Sequence, residues 1–218
     1  MTPSKEDYIK AIYSLNGTNE IVSNKDLAQA LGVSAASVTD MNSRLLNEDL
    51  IDYIPYQGVK LTDIGSQIAR KLVRKHRLWE TFLYEKLNYD WTDVHEEADK
   101  LEHASSDLLI ERLDEYLNYP KNDPHGGPIP DQDGNMPHQY KIPLIGVKPG
   151  EIFTIVEIDD ERDILNYVFE RRIMPGTRFT LLSVDELEGP LTLENEEGDE
   201  VIVSTLAANH IFIELDNE

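Results

Sequence analysis

Residues 119–138 divide this chain, because five of its eleven prolines and three of its twelve glycines fall in this stretch. Before it, apolar residues mostly recur every three or four positions, which predicts amphipathic helices. After it, short apolar runs bounded by turn residues predict strands. The stretch itself has no periodicity and is longer than a routine connection, so we interpret it as a domain boundary or an ordered irregular segment. The chain is therefore expected to have an α+β fold.

Residues 1–63 have the pattern of a winged helix-turn-helix domain. A first amphipathic helix is followed by a short second helix, which Ser23 caps and Gly32 ends. Ser34 caps a third helix, and the run IDYIPYQGVKLT at 51–62 predicts two strands joined by a turn. In a helix-turn-helix, the helix after the turn enters the major groove of DNA.

The distribution of charge permits this first domain to bind double-stranded DNA. The net charge of −22 argues against DNA binding by the chain as a whole, but residues 1–75 carry nine basic and nine acidic side chains, so the excess acid lies beyond them. The alternative is an ordinary helical hairpin whose small residues face solvent, and Asp40 would repel phosphate. The candidate DNA contacts are Lys25, Ser34, Ala36, Ser37, Thr39, Asp40, Arg44 and Lys60.

Residues 64–140 predict a helical domain whose histidines and carboxylates suit a metal ion. His76 and Glu80 are four residues apart, and His95, Asp99 and His103 repeat that spacing, so each set shares one helix face. Glu102 lies beside the second set. The alternative is a solvated, charged helix face with surface ion pairs. The helices are predicted at about 63–87, 93–105 and 107–118.

The chain contains no cysteine, so only imidazole and oxygen ligands are available for a metal. This ligand set favours Mn²⁺ or Fe²⁺, although Zn²⁺ or Ni²⁺ would also accept it. The sequence offers no nucleophile or acid–base pair beside the candidate ligands, so no catalytic residue is assigned. His125, His138 and His210 have no clustered partners in the sequence and are interpreted as structural or surface residues.

Residues 141–218 predict a small β-barrel, because they contain five short strand-like runs and one helical run at about 161–172. No apolar run approaches the length of a membrane span, and the N-terminus lacks the pattern of a signal peptide, so a cytoplasmic location is expected. The five strands are predicted at 151–158, 178–184, 191–194, 200–204 and 210–215.

Several motifs, taken together, resemble the DtxR/MntR family of metal-dependent transcriptional repressors, and in particular its three-domain manganese-responsive ScaR/SloR group. The resemblance implies a winged helix-turn-helix, a helical dimerisation and metal-binding domain, and an SH3-like β-barrel of the FeoA type. The motifs are EDYIKAIY at 6–13, VSAASVTDM at 33–41, LTDIG at 61–65, RKHRLWETFL at 74–83, VHEEADKLEH at 94–103, SDLLIERLD at 106–114 and PHGGPIP at 124–130.

The resemblance also implies two metal sites. In two-domain manganese-responsive members an acid stands where this chain has Lys10, so a closely spaced pair of ions is not expected here. A second departure is Asp99, where manganese-responsive members usually have glutamate. The implied primary ligands are Asp7, Asp99, Glu102 and His103. The implied ancillary ligands are His76, Glu80 and His95, completed by Asp160 or by Asp163.

The function implied by the resemblance is a manganese-activated homodimeric repressor of metal-uptake genes. A metal bridging the N-terminal helix to the dimerisation helices would set the spacing of the two recognition helices on an inverted-repeat operator. Neither a membrane nor a small organic substrate is an expected partner, and Zn²⁺ is expected to bind in vitro as well. The alternatives are an iron-responsive regulator of the same family, a His/carboxylate metalloenzyme, a regulator that senses an organic ligand, and a protein-interaction module.

Overall fold

The computed structural model describes residues 1–137, 142–185, 187 and 189–216. Their contacts define two compact units, and the division between them falls within the longest helix. The first unit consists of Met1–His76, Asp99–Glu111 and Pro130–Met136, and the second of Arg77–Ala98, Arg112–Ile129 and Pro137–Glu218.

The first unit contains the predicted winged helix-turn-helix. Ser23 and Ser34 cap the second and third helices, and Gly32 adopts the left-handed conformation (φ 62°) between them, as their positions predict. Val22, just before the second helix, exchanges backbone hydrogen bonds with Val59 and so joins this part of the domain to the wing. The elements are α1 (Pro3–Ser14), α2 (Asn24–Leu31), α3 (Ala35–Asn47), β1 (Ile51–Ile54) and β2 (Gly58–Leu61).

Three further helices follow, and the first two of them carry most of the candidate metal ligands. They are α4 (Asp63–Leu87), α5 (Val94–Glu102) and α6 (Asp107–Tyr116). The first agrees with the predicted bounds. The other two end earlier than predicted. Helix α5 ends where the Ala104 and Ser105 amides form turns with the Leu101 and Glu102 carbonyls, and α6, which Ser106 caps, ends before Asn118, which has a positive φ of 61°.

Residues 121–129 form an ordered loop, which agrees with the second interpretation of the proline-rich stretch. The Ile129 amide donates to the Lys121 carbonyl, and the Asp123 amide donates to the Gly127 carbonyl. A Cβ atom at Gly126 would lie 1.9 Å from the Val156 carbonyl oxygen, so only glycine permits this loop to approach the following strand.

The remaining part of the second unit is an antiparallel sheet with the strand order β3-β8-β4-β5-β6-β7 around one apolar core. The five predicted strands are confirmed within about one residue at each end, whereas β3 and α8 were not predicted. Helix α7 ends earlier than predicted, because Arg172 has a positive φ of 56°. The elements are β3 (Ile142–Pro143), a 3₁₀ turn (Leu144–Gly146), β4 (Ile152–Ile158), α7 (Arg162–Phe169), β5 (Arg178–Val184), β6 (Leu191–Asn195), β7 (Glu200–Val203), α8 (Thr205–Ala208) and β8 (Ile211–Leu215).

Within the described part of the chain, no helix combines the length and apolar character that crossing a bilayer requires.

Candidate metal centres and DNA-facing surface

A first cluster of candidate ligands consists of Asp7 on α1 with Glu102 and His103 at the end of α5. Their ligand atoms lie within 4.8 Å of one another. His103 Nε2 is 2.9 Å from Asp7 Oδ1 and 3.6 Å from Glu102 Oε1. Glu102 is buried, whereas the Asp7 side chain is 47% exposed. Burial raises the pKa of Asp7, and the neighbouring His103 only partly offsets this effect.

Glu6 fixes the orientation of the His103 ring. Its Oε2 lies 2.6 Å from His103 Nδ1, which leaves Nε2 facing Asp7 and Glu102. Burial alone would lower the pKa of His103, but Glu6 and the other two carboxylates outweigh it and raise that pKa. A carboxylate on the far nitrogen is a common partner of a metal-binding histidine. The sequence analysis missed Glu6, and its position beside Asp7 in the first turn of α1 was the available signal.

Asp99 has different partners from those that the resemblance implies. The Lys10 ammonium lies 2.7 Å from Asp99 Oδ1, 2.8 Å from Glu102 Oε2 and 3.0 Å from His76 Nδ1. Burial alone would lower the pKa of Lys10, but these carboxylates raise it, while His76 and Lys10 lower the pKa of Asp99 against the effect of burial. Asp99 therefore groups with His76 and Glu102 rather than with Asp7.

A second group of candidate ligands lies in the second unit. Glu80 on α4, His95 on α5 and Asp160 after β4 offer ligand atoms within 4.8 Å of one another, and His95 Nδ1 is 3.2 Å from Glu80 Oε1. Of the two acids considered from the sequence, Asp160 is the one that joins this group. Asp163 is exposed in the first turn of α7 and lies outside the candidate groups found in the described chain.

His125 joins this group as well, which corrects its interpretation as a structural or surface residue. Its ring is fully buried, and Nε2 lies 2.9 Å from the Trp91 carbonyl oxygen, which can only accept a hydrogen bond. Nδ1 therefore carries the lone pair in the neutral ring, and it lies 2.9 Å from Asp160 Oδ1 and 3.9 Å from Glu80 Oε1. Burial alone would lower the pKa of His125, but the surrounding carboxylates, Asp160 first, raise it to about 9.

The prediction of a structural or surface role also covered His210 and His138. His210 is partly exposed, with Nδ1 3.0 Å from Asp159 Oδ2, as expected of a surface residue. His138 lies outside the described residues.

Asp123 brings a further carboxylate to this place from the 121–129 loop. Its Oδ1 accepts hydrogen bonds from the His125 and Gly127 amides, and its Oδ2 lies 3.1 Å from Arg77 Nε. Burial raises the pKa of Asp123, against the opposing effect of Arg77. The sequence analysis missed Asp123, because the geometry of a loop leaves no periodic signal. It missed Arg77 because the partner of Arg77 is Asp123 in that loop. Two groups of candidate ligands therefore share Glu80, one with His95 and Asp160 and the other with Asp123 and His125, and His125 Nδ1 lies 2.9 Å from Asp160. We call Glu80, Asp123, His125 and Asp160 together the second cluster.

Both clusters suit a divalent cation. In the second cluster, three carboxylates face one guanidinium, and buried carboxylates require compensating charge. His125 Nδ1 lies close to Asp160 but makes no hydrogen bond of acceptable geometry among the described atoms. This arrangement is expected when both side chains point toward the position of one ion. The donor atoms of both clusters are oxygen and imidazole nitrogen, which bind Mn²⁺, Fe²⁺ and Zn²⁺.

Seven of the eight candidate DNA contacts are exposed, and six of those seven lie on α3 or directly before it. Ser34, at the start of α3, caps that helix, and Asp40 forms an ion pair with Arg44 at 2.7 Å, so its charge is compensated. Lys60 is half-buried on β2, opposite Asp52 on β1. The exposed candidates are Lys25, Ser34, Ala36, Ser37, Thr39, Asp40 and Arg44.

A winged helix-turn-helix combined with carboxylate–imidazole clusters defines the class of metal-dependent DNA-binding regulators. Sequence comparison agrees with this class. Residues 1–59 match "Iron dependent repressor, N-terminal DNA binding domain", residues 62–131 match "Iron dependent repressor, metal binding and dimerisation domain", and residues 142–215 match the FeoA domain. The chain belongs to the DtxR/MntR family of metal-responsive transcriptional repressors.

Individual relatives support the same assignment. The regulator MntR of Oceanobacillus iheyensis is 36% identical over 122 residues, which are 56% of this chain and 82% of that protein. A manganese-dependent transcriptional repressor solved in complex with manganese is 35% identical, with a TM-score of 0.91 over 97% of this chain and 100% of the other. The manganese regulator SloR is 40% identical, with a TM-score of 0.85 over 99% and 100%.

Proposed function

We propose that this chain is a manganese-activated transcriptional repressor of manganese-uptake genes. The observation that carries the proposal is the first cluster, because it joins α1 of the winged domain to α5. Ile9 and Ile12 bury α1 in the core of the winged domain, so the position of Asp7 is coupled to that of the reading head. The functions of similar regulators support the same conclusion.

The residues of the first cluster control the spacing of the reading heads. Asp7 and Glu102 bring two carboxylates close together, and their mutual repulsion weakens the attachment of α1 to α5 that the Lys10 ion pairs provide. A bound divalent ion would supply two positive charges at this point. Asp7 then holds α1 beside α5, and the population shifts toward the arrangement that fits two half-sites of an operator.

The physiological ion is proposed to be Mn²⁺ on two grounds. The ligands are carboxylate oxygen and imidazole nitrogen without sulfur, and similar repressors are manganese-dependent. An iron-responsive regulator is the alternative, since the family description names iron. Zn²⁺ lies above Mn²⁺ in the usual affinity order, so tight binding in vitro does not identify the signal.

The partners are proposed to be a second copy of this chain and an inverted-repeat DNA operator. Helix α6 exposes Leu108, Leu109 and Tyr116, an apolar set suited to the dimer that the family description implies. Ser34, Ala36, Ser37, Thr39 and Asp40 would face base edges, while Lys25, Arg44 and Lys60 would contact phosphate. A DNA operator is found in the cytoplasm of a bacterial cell, so we propose that location for the chain. We propose no enzymatic activity.

The second cluster is proposed to be a structural metal site. Asp160 follows a strand of the FeoA segment, Glu80 lies on α4, and Asp123 and His125 lie in the 121–129 loop, so an ion there would connect three parts of the second unit. His76, one helical turn before Glu80, is retained as a further candidate. We propose domains at 1–63, 64–140 and 141–218, close to the family matches.

The test is DNA affinity with Mn²⁺ and with chelator, in the unmodified chain and in Asp7→Ala. The unmodified chain should bind an inverted-repeat operator tightly only with Mn²⁺, and Asp7→Ala should lose that response. Equal affinity in all four conditions would contradict the proposal. Repeating the titration with Fe²⁺ under anaerobic conditions, at concentrations matched to cellular availability, distinguishes the iron-responsive alternative.

A further inference from the structure

Trp91, in the connection between α4 and α5, is built into the apolar core of the FeoA segment. Its side chain is only 3% exposed and joins a cluster whose other buried members, among the described residues, all lie between Leu144 and Ile213. The indole ring stacks on Phe169 of α7, with ring centroids 6.0 Å apart and planes inclined by 21°. The helical part of the chain thus contributes a large aromatic side chain to the core of the FeoA segment.

The same residue holds the loop that supplies Asp123 and His125. The indole Nε1–H donates to the Pro124 carbonyl oxygen at 2.9 Å. The His125 ring stands nearly perpendicular to the indole, with ring centroids 4.6 Å apart. His125 Nε2–H donates to the Trp91 carbonyl oxygen at 2.9 Å. These contacts fix the position and the orientation of the imidazole, which leaves Nδ1 facing Asp160.

The loop is also joined directly to the FeoA sheet. The Ile158 amide, two residues before Asp160, donates to the His125 carbonyl oxygen at 2.9 Å. An ion pair between Arg162 on α7 and Glu96 on α5 spans 2.7 Å, but both side chains are 63% exposed, and such pairs contribute little. The attachment therefore depends mainly on buried contacts, and the indole takes part in those on both sides.

We propose that Trp91 is a positioning residue of the second cluster. It couples the packing of the FeoA core to the place of the His125 ring. It also keeps the FeoA segment attached to the 121–129 loop before any ion binds, because none of its contacts requires a metal. The inference rests on the proposed function, since it takes the second cluster as a metal site.

The first measurement is the Mn²⁺ affinity of the second cluster, by isothermal titration in an Asp7→Ala background that removes a ligand of the first cluster. Trp91→Leu, which removes the ring and its donor, should weaken this affinity at least about tenfold, as is usual for residues that orient metal ligands. Trp91→Phe keeps an aromatic ring and loses only the hydrogen bond to Pro124, so its loss should be smaller, about threefold.

Phe179→Leu is the matched control. Phe179 is a buried aromatic residue of the same core and stacks on Phe153. Its substitution should lower the melting temperature in chelator, as Trp91→Leu does, but should leave the affinity for Mn²⁺ unchanged. If Trp91 only filled the core, the two substitutions would have the same effect on that affinity.

The second measurement needs no metal. Lys121 is exposed at the start of the loop, and trypsin can cleave after it only when the loop opens locally. In chelator, mass spectrometry of the fragments should show cleavage at Lys121 about tenfold faster in Trp91→Leu than in the unmodified chain. Phe179→Leu should be cleaved there at the unmodified rate.

Normal Mn²⁺ affinity in Trp91→Leu would overturn the inference and leave the proposed function intact. Equal losses of affinity in Trp91→Leu and Phe179→Leu would overturn it as well, and so would cleavage at Lys121 that is equally fast in both. If the Asp7→Ala chain itself bound no Mn²⁺, the metal role proposed for the second cluster would be contradicted, and the positioning role with it.

Discussion

The two clusters contain similar ligands but differ in their access to solvent. In the first, Asp7 is about half exposed and lies at the start of a helix. In the second, Glu80, Asp123 and His125 are buried, and only Asp160 is partly exposed. An ion at an open position can exchange with the surrounding pool, whereas a closed position favours a long residence time. The first cluster therefore suits sensing, and the second suits stabilisation of the fold.

Each cluster also includes a cationic side chain of the protein, in a different relation to the ligands. Among the described residues, the Lys10 ammonium lies within hydrogen-bond distance of candidate ligand atoms of His76, Asp99 and Glu102. Arg77 contacts Asp123 and also donates to the Pro128 carbonyl, so it braces the loop as well. Lys10 is placed to neutralise candidate ligands, whereas Arg77 is placed to hold the loop that supplies ligands.

Glu102→Gln should have the largest effect on the sensing function. Glu102 contributes to the first cluster and also contacts Lys10, so its loss removes a ligand and a contact of α1. We expect at least about a 100-fold loss of Mn²⁺-dependent DNA affinity, or about 2.7 kcal/mol, measured by fluorescence anisotropy. Glu214→Gln, at an exposed position of β8, is the control. A normal response in Glu102→Gln would mean that the first cluster is not the sensor.

The pH dependence should be steep at the second cluster. Because the pKa of His125 is raised to about 9, ion binding below that pH must displace a proton, and affinity should fall at least about tenfold for each unit by which the pH is lowered. Isothermal titration of Asp7→Ala with Mn²⁺ between pH 6.5 and 8.5 measures this. An affinity that does not vary with pH would remove His125 from the site.

The metal-free chain should become less stable as the pH rises, whereas the affinity of the second cluster for Mn²⁺ should increase. The folded pKa of His125 lies above its unfolded value of about 6.5, so its contribution is complete below pH 6.5 and is lost as the pH rises toward 9. The raised pKa of Asp123 acts in the same direction. Thermal melts in chelator should therefore show a falling melting temperature from pH 6.5 to 9, and a rising one would contradict the assignment.

Asp160→Asn should separate stabilisation from sensing. A tenfold loss of affinity at the second cluster would reduce the stabilisation by Mn²⁺ from about 2.7 to about 1.4 kcal/mol at an ion concentration 100 times the original Kd. Activation of DNA binding should remain. Asp163→Asn, three residues further along, should behave like the unmodified chain in Mn²⁺-dependent melts. Equal effects of both substitutions would argue against the second cluster as described.

Glu6→Gln should weaken the first cluster alone, by about tenfold, because Glu6 orients His103 without belonging to the ligand group. A Mn²⁺ titration of DNA binding should shift to higher concentration with the same maximum. Stabilisation by Mn²⁺ at the second cluster should not change, and a loss there would show that Glu6 acts through general stability.

Arg44→Ala should have the smallest effect on DNA affinity. It should leave Mn²⁺ binding at both clusters unchanged. We expect a several-fold loss of DNA affinity and a salt dependence reduced by about one unit of slope, because one phosphate contact is lost. The ratio of affinities with and without Mn²⁺ should stay the same. A change in that ratio would place Arg44 in the coupling between metal and DNA.

Much of the fold was predictable because its signals are local. Ser23, Gly32 and Ser34 mark helix ends by their own chemistry, and the bounds of α4 follow from its periodicity. Strand β3 was missed by the sequence analysis because it has only two residues, Ile142 and Pro143, which is too few for alternation to be recognised.

The candidate sites were predictable only in part. Glu102 and His103 follow from helical spacing, and Asp7 needed the family resemblance. Asp123 and His125 come from a loop whose shape depends on glycines and on hydrogen bonds to the Asp123 carboxylate, and no sequence period encodes that shape. The contacts of Lys10 with His76, Asp99 and Glu102 could not be predicted either, because they depend on how α1 packs in three dimensions.

The backbone bonds between Val22 and Val59, together with the bond from the Leu61 amide to the Gly17 carbonyl, make the winged domain turn as one piece. Rotation of α1 about Asp7 is therefore carried to Tyr56, the fully exposed residue at the wing tip. In the proposed repressor, a small displacement at Asp7 would therefore produce a larger displacement at the tip of the wing.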